Sequence, residues 1–291
     1  MAGFFGLFDY TKEGPGVDPN APPSPGIVVF FQVFFRKFWK LIQVNLLFVL
    51  FNIPALAAML AAVMFLFPAQ VSDDIVLDLF FRLSVGFVLV AIPIITVGPA
   101  QAGFTYVLRN FAREEHAFIW YDFKDNAKKN LKQSLIICFI DFVLVIVFGF
   151  VINFYIKFPD GGSLTAFAAG IAIIAFIFFL MMHIYIYPML VTFKLTVKQI
   201  YKNAFIFSIV GLIPNLMIII LYIALVLLTF FFNTYIGILL YIFITSSFIG
   251  LILNSYAWPK LKKYMVDRII RNEANQDETN QNETKQNKIQ E

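Results

Sequence analysis

The chain is poor in the residues that most chemistry needs. It has one cysteine, Cys138, two histidines, His116 and His183, and only 14% charged residues over 291 positions. A single cysteine excludes an intramolecular disulfide framework. With so few thiols and imidazoles, no cluster has the spacing of a metal site. Nor is there a Ser/His/Asp grouping that would set a base and its orienting partner beside a nucleophile. The expectation is a protein that is not an enzyme and carries no cofactor or metal. Soluble domains carry about 25% charged residues, so the shortage of charge also argues against a surface wetted all round. The net charge of +4 is a poor guide to partners, because position matters more than the sum. No nucleic-acid partner is expected.

What fills the chain is apolar. Hydrophobic residues make up 60% of it, and Phe alone occurs 37 times. A bilayer core of about 30 Å is crossed by about 20 apolar residues. Six stretches meet that length: Val44 to Phe67, Leu83 to Leu108, Leu131 to Ile156, Leu164 to Leu190, Ile209 to Phe232 and Tyr235 to Trp258. Ile27 to Gln43, Ile119 to Leu131 and Val197 to Ser208 instead mix polar and apolar residues at helical spacing. That pattern suits helices lying in the membrane interface. Pro259 to Arg271 reads as a further basic amphipathic helix, and Pro159 to Ser163 as a turn. The predicted fold class is all-α integral membrane, with six transmembrane helices in three hairpins, each preceded by a cytoplasmic amphipathic helix. Arg36 and Lys40, Lys124 and Lys128, and Lys198 and Lys202 are basic pairs four residues apart, which suggests that the unit recurs three times. Residues 1–26 form a Pro- and Gly-punctuated cytosolic arm without the basic start and apolar core of a signal peptide. Residues 27–271 form the membrane domain. Residues 272–291 are an Asn/Gln/Glu-rich tail with too little to bury, expected to be disordered.

Orientation follows from Lys and Arg, which are in excess in cytoplasmic loops. All but Arg82 and Lys157 of the 22 basic residues fall on one side of a six-span arrangement. Both termini are therefore expected in the cytoplasm. Trp39, Trp120 and Trp258 fall on the same side, at the headgroup level that suits indole rings.

The second span is interrupted by Pro93, Gly98, Pro99 and Gly103. A proline inside a helix removes a backbone donor and clashes with the carbonyl four residues back, which for Pro99 is that of Ile95. A kinked helix is expected here, buried against its neighbours through the small surface of Gly98, Ala102 and Gly103. The break is either a moving hinge or a fixed kink.

Several motifs together resemble one family. Gly3-Phe4-Phe5 with Asp9-Tyr10-Thr11-Lys12 and Gly14-Pro15-Gly16 is the first. Phe35-Arg36-Lys37-Phe38-Trp39-Lys40-Leu41, Thr96-Val97-Gly98-Pro99-Ala100-Gln101-Ala102-Gly103 and Arg109-Asn110-Phe111-Ala112-Arg113-Glu114 follow. From about residue 1 to 271 the chain resembles the YesL-like family of bacterial integral membrane proteins, a domain of unknown function. The resemblance implies the bacterial cell membrane and an accessory or regulatory role beside carbohydrate uptake, with membrane subunits of a sugar importer as partners in addition to the lipid bilayer. It supplies no site residues. The alternative is a small-solute transporter in its own right.

Three groups of residues are candidate sites. Arg109, Arg113 and Glu114, with Glu115 and His116, form either a cytoplasmic docking patch or a solvated loop that sets topology. Asn45, Asn52, Asn153, Asn215 and Asn254 either line a polar path or bond between helices. Asp141 and His183 lie at depths of roughly 15 Å and 10 Å in neighbouring spans at 1.5 Å per residue. They either pair there, or Asp141 bonds a Thr, Asn or backbone group elsewhere while His183 sits at the interface. An ionisable residue at that depth is a functional hypothesis by default.

Overall fold

The computed structural model describes residues 26–66, 74–157 and 162–267. The expected arm, the turn at Pro159 to Gly161, Arg268, Arg271 and the tail lie outside them. The described residues contain no strand. Helix α1 (Gly26–Arg36) is separated from α2 (Phe38–Leu66) by Lys37 alone, and α3 (Ile75–Ala112) follows. Helix α4 (Ile119–Lys129) is separated from α5 (Leu131–Lys157) by Asn130 alone, and α6 (Gly162–Leu190) follows. Helix α7 (Val197–Val210) is separated from α8 (Leu212–Phe231) by Gly211 alone. The last helical stretch is α9 (Thr234–Leu240), a π-helical segment (Tyr241–Thr245), α10 (Ser246–Leu261) and a second π segment (Lys262–Val266). Six stretches are long and apolar enough to cross a membrane: α2, α3, α5, α6, α8, and the run from α9 through the second π segment. The fold is that of an all-helical, multi-pass membrane protein.

Helix α3 begins at Ile75, ahead of the expected Leu83, and two further boundaries differ from the sequence reading. The stretch Ile27 to Gln43 is not one helix, because it breaks at Lys37 and Phe38 onward belongs to α2. Leu41 and Val44 are both fully buried, so the core-facing stripe runs straight through the expected boundary. The Lys37 ammonium instead donates to the Glu115 carbonyl at 3.0 Å and lies 4.5 Å from the Phe111 ring centroid. Burial, with Arg36 and Lys40 beside it, lowers its pKa. The pair Arg36 and Lys40 thus straddles a junction, whereas Lys124 and Lys128 lie within α4, and Lys198 and Lys202 within α7. Pro259 likewise does not begin a new helix but sits inside α10. Ala257 and Leu261 on either side of it are buried, and that packing carries the helix past the lost backbone bond.

Helix α3 is the packing hub, touching α1, α2, α4, α5, α6 and α10. Its two halves differ in environment. Ile75, Val76, Leu77, Leu79 and Phe80 are exposed, while Ala100, Ala102, Phe104, Val107, Leu108 and Phe111 are buried. The buried half joins two apolar clusters. One gathers α1, α2, α4 and α10 through Val33, Leu41, Phe123 and Leu251. The other gathers α6, α7 and α10 through Tyr185, Met189, Ile200 and Ala257. Arg36, Arg113 and Lys262 lie around this packed half, which is the basic end of the bundle. Outward-facing Ile146, Phe150, Met217, Ile220, Leu227 and Phe231 are exposed. Continuous apolar surface of this kind is suited to contact with lipid.

The first π segment has an identifiable cause. A wider turn leaves carbonyls without their usual partners, and buried backbone groups need partners. Asn45 of α2 supplies them. Its amide donates to the Tyr241 and Ile242 carbonyls at 2.8 Å and 2.7 Å, and its oxygen accepts from the Ser247 amide at 2.7 Å.

Candidate functional site

The C-terminus of α3 closes in an uncommon way. The Glu115 amide donates to the Asn110 carbonyl and the Glu114 amide to the Phe111 carbonyl, the bond pattern of a Schellman cap. The left-handed residue of such a cap is usually Gly, yet here Glu114 holds φ 60°. A side chain in that region costs about 1–2 kcal/mol, and strain of this kind marks functional positions more often than others. The Glu114 carboxylate bonds the Arg36 guanidinium at 2.6 Å, tying this cap to the α1–α2 junction.

Arg109 and Arg113 behave differently from loop cations. Arg109 is 8% exposed. Its guanidinium donates to the Val191 carbonyl at 2.8 Å, to the Thr192 hydroxyl at 3.1 Å and to the Asn110 side-chain oxygen at 2.7 Å. It therefore pins the loop after α6 to α3. Arg113 lies 3.9 Å from the Trp258 ring centroid and pairs with Glu115 at 2.8 Å. Of the sequence-predicted patch, Arg109 is interior while Arg113 and Glu114 remain accessible.

A buried polar network sits deeper at the same end. Asn215 of α8 accepts from the Tyr185 and Tyr256 hydroxyls at 2.6 Å and 2.7 Å and donates to the Phe207 carbonyl at 2.9 Å. The Lys260 ammonium reaches Tyr185, Asn215 and Tyr256. Gly211 leaves the room, since a Cβ there would stand 2.7 Å from the Lys260 nitrogen.

The ionisable residues Asp141 of α5 and His183 of α6 meet, with His183 Nε2 3.1 Å from Asp141 Oδ2. The Tyr201 hydroxyl of α7 donates to Asp141 Oδ1 at 2.6 Å. His183 Nδ1 faces the Phe179 carbonyl at 2.8 Å. A carbonyl only accepts, so Nδ1 is the donor there, and Nε2 is left facing the carboxylate. The cluster thus sets an imidazole nitrogen against a carboxylate, with a phenol as third member. Burial, then the Asp141 hydrogen bond, pushes the Tyr201 hydroxyl well above its ordinary pKa, so it stays a donor.

The other expected residues are placed as follows. Pro93 and Pro99 lie inside a continuous α3, whose Thr96 hydroxyl donates to the Ile92 carbonyl at 3.1 Å. A Cβ at Gly98 would stand 2.5 Å from the Ser134 carbonyl oxygen, and one at Gly103 2.4 Å from that of Phe123. Gly98 and Gly103 therefore set close approaches to α5 and α4. Asn52 and Asn254 donate to the Phe48 and Gly250 carbonyls of their own helices, and Asn153 is exposed. Tyr185, Tyr256 and Lys260 were missed by sequence reasoning. Their signal is spacing, with Tyr256 and Lys260 four residues apart on one helix face.

Residues 33–154 match a family described as a protein of unknown function, DUF624. The resemblance to the YesL-like family is consistent with that match. The matched segment reaches from α1 into α5, so it includes Gly98, Arg109 and Asp141 and stops before His183, Tyr201 and Lys260. No curated protein and no solved structure matches the chain.

Proposed function

We propose that the protein is a non-catalytic accessory component of the bacterial cell membrane, acting by docking another membrane complex at its basic end. The single observation that carries this reading is where its polar groups are spent. Asn45, Asn110, Asn215 and Arg109 are each bonded to backbone or to one another, which is a structural use of polarity rather than the lining of a passage. Accessible charge collects at the basic end, on Arg36, Arg113 and Glu114. That end and both termini face the cytoplasm on the positive-inside argument. A subunit of a sugar importer is the partner that the family resemblance favours. A transporter of a small solute is the second reading, favoured by the contact of two ionisable side chains, Asp141 and His183, within neighbouring spans.

The test is purification from the native host in mild detergent, with a photo-crosslinker at Glu114. Stoichiometric crosslinks to the membrane subunits of a carbohydrate importer are expected. A solitary protein that moves solute into proteoliposomes, with Asp141→Asn abolishing the flux, would overturn the docking reading. Orientation is checked separately: a cysteine at Asp74 should be labelled by an impermeant thiol reagent from outside, and one at Lys128 only after permeabilisation.

A further inference from the structure

A cleft of about 640 Å³ opens at the basic end between the end of α3, the loop after α6 and the last helical stretch. Its volume lies in the range of small-molecule pockets, about 300–1,000 Å³. The two kinds of wall differ. Arg109, Arg113 and Lys262 bring three cations to it against one carboxylate, Glu115. Phe193, Trp258 and Val266 make the apolar side. The cations differ in freedom. Arg109 is already committed to Val191, Thr192 and Asn110 and acts as fixed positive charge behind the cleft. Arg113 lies over the Trp258 ring and spends a donor on Glu115. A guanidinium has five N–H donors in a fixed fork that suits phosphate oxygens, so the contact with Trp258 holds Arg113 in place while leaving donors for a ligand. Lys262 is exposed and makes no ion pair among the described residues.

We propose that this cleft binds an organic phosphate, the phosphate held by Arg113 and Lys262 over the field of Arg109 and the organic body lying against Trp258 and Phe193. A bare phosphate would leave the apolar wall and most of the volume unused. The chemistry is shared by two sources, the headgroup of an anionic glycerophospholipid and a soluble phosphate monoester. The inference rests on the cleft alone and stands whether or not the docking reading does.

The test uses the full chain in phosphatidylcholine nanodiscs. In one arm phosphatidylglycerol is added to the bilayer and retained lipid is read by native mass spectrometry. In the other, glycerol phosphate is titrated and Trp fluorescence is followed. Arg113→Gln and Lys262→Gln are compared with Lys157→Gln, which lies at the opposite end of α5. One probe or the other should bind, about tenfold more weakly to each cleft variant and unchanged to Lys157→Gln. Retention of phosphatidylglycerol alone assigns the lipid source, and binding of glycerol phosphate assigns the soluble one. Should Arg113→Gln fail to fold, Lys262→Gln, at an exposed position, decides alone. If neither probe binds, or if the cleft variants bind as Lys157→Gln does, the proposal is overturned.

Discussion

Gly98→Ala and Gly149→Ala are the same chemical change and should have opposite effects. Both glycines lie inside long helices. At Gly149 an added Cβ meets nothing within 4 Å, so the expected change is the intrinsic one, a gain of about 0.5–1 kcal/mol. At Gly98 it would stand 2.5 Å from the Ser134 carbonyl oxygen, 3.0 Å from that carbonyl carbon and 3.1 Å from Cys138 Cβ. Two of these three atoms are backbone, so no rotamer change relieves the contact and α5 itself must shift. Overpacking costs typically about 1–3 kcal/mol, and an obstacle made of backbone belongs toward the upper part of that range. The two variants should therefore differ by roughly 1.5–4 kcal/mol. Denaturant or thermal unfolding of the purified protein in one detergent, followed by Trp fluorescence and by size-exclusion retention, measures the difference. Gly98→Leu should be worse still, and worse than Pro99→Ala, which removes atoms instead of adding them. If Gly98→Ala matched Gly149→Ala in stability, the close approach of α3 to α5 would be wrong.

Removing the side-chain amide in Asn45→Leu strands two carbonyls and one amide around the first π segment. A loss of about 1–3 kcal/mol for each buried group left unsatisfied should appear as a sharp drop in thermal stability, with Asn45→Asp intermediate because it keeps the acceptor for Ser247; a silent Asn45→Leu would remove the reason given for the segment. For Asp141→Asn and His183→Gln, a double-mutant cycle on detergent stability should give a coupling of about 0.5–3 kcal/mol, and strictly additive effects would separate the two residues. Glu114→Gly releases the left-handed strain while losing only an accessible ion pair, so unfolding should show it equal to or more stable than wild type, and a clear loss of stability would show that the cap depends on its side chain.

What was legible in the sequence divides by the range of the physics behind it. Span number depends on run length and composition, which are local, and six apolar runs became six long helices. Helix junctions depend on what packs against them, so the first break fell at Lys37, where the Phe111 ring and the Glu115 carbonyl hold the lysine, and not at the change from polar to apolar residues. Depth arithmetic brought Asp141 and His183 near one level because each span is one continuous helix counted from the same side. It could not supply Tyr201, which arrives from a helix read as interfacial.

The π segment and the buried arginine make the same point from the other direction. Nothing in Tyr241-Ile242-Phe243-Ile244-Thr245 announces a widened turn, because its cause is Asn45, nearly two hundred residues earlier in the chain. Arg109 follows Ala102 and Thr105 at helical spacing, and both of those are buried. Reading the stripe forward would have placed the arginine inside, whereas reading its charge placed it in a loop. In a membrane helix the position on the stripe should be read before the charge, since a cation that ends a buried stripe needs a carbonyl or side-chain oxygen to meet it. Here Val191, Thr192 and Asn110 provide those oxygens, and in doing so they fix the loop that forms one wall of the basic-end cleft.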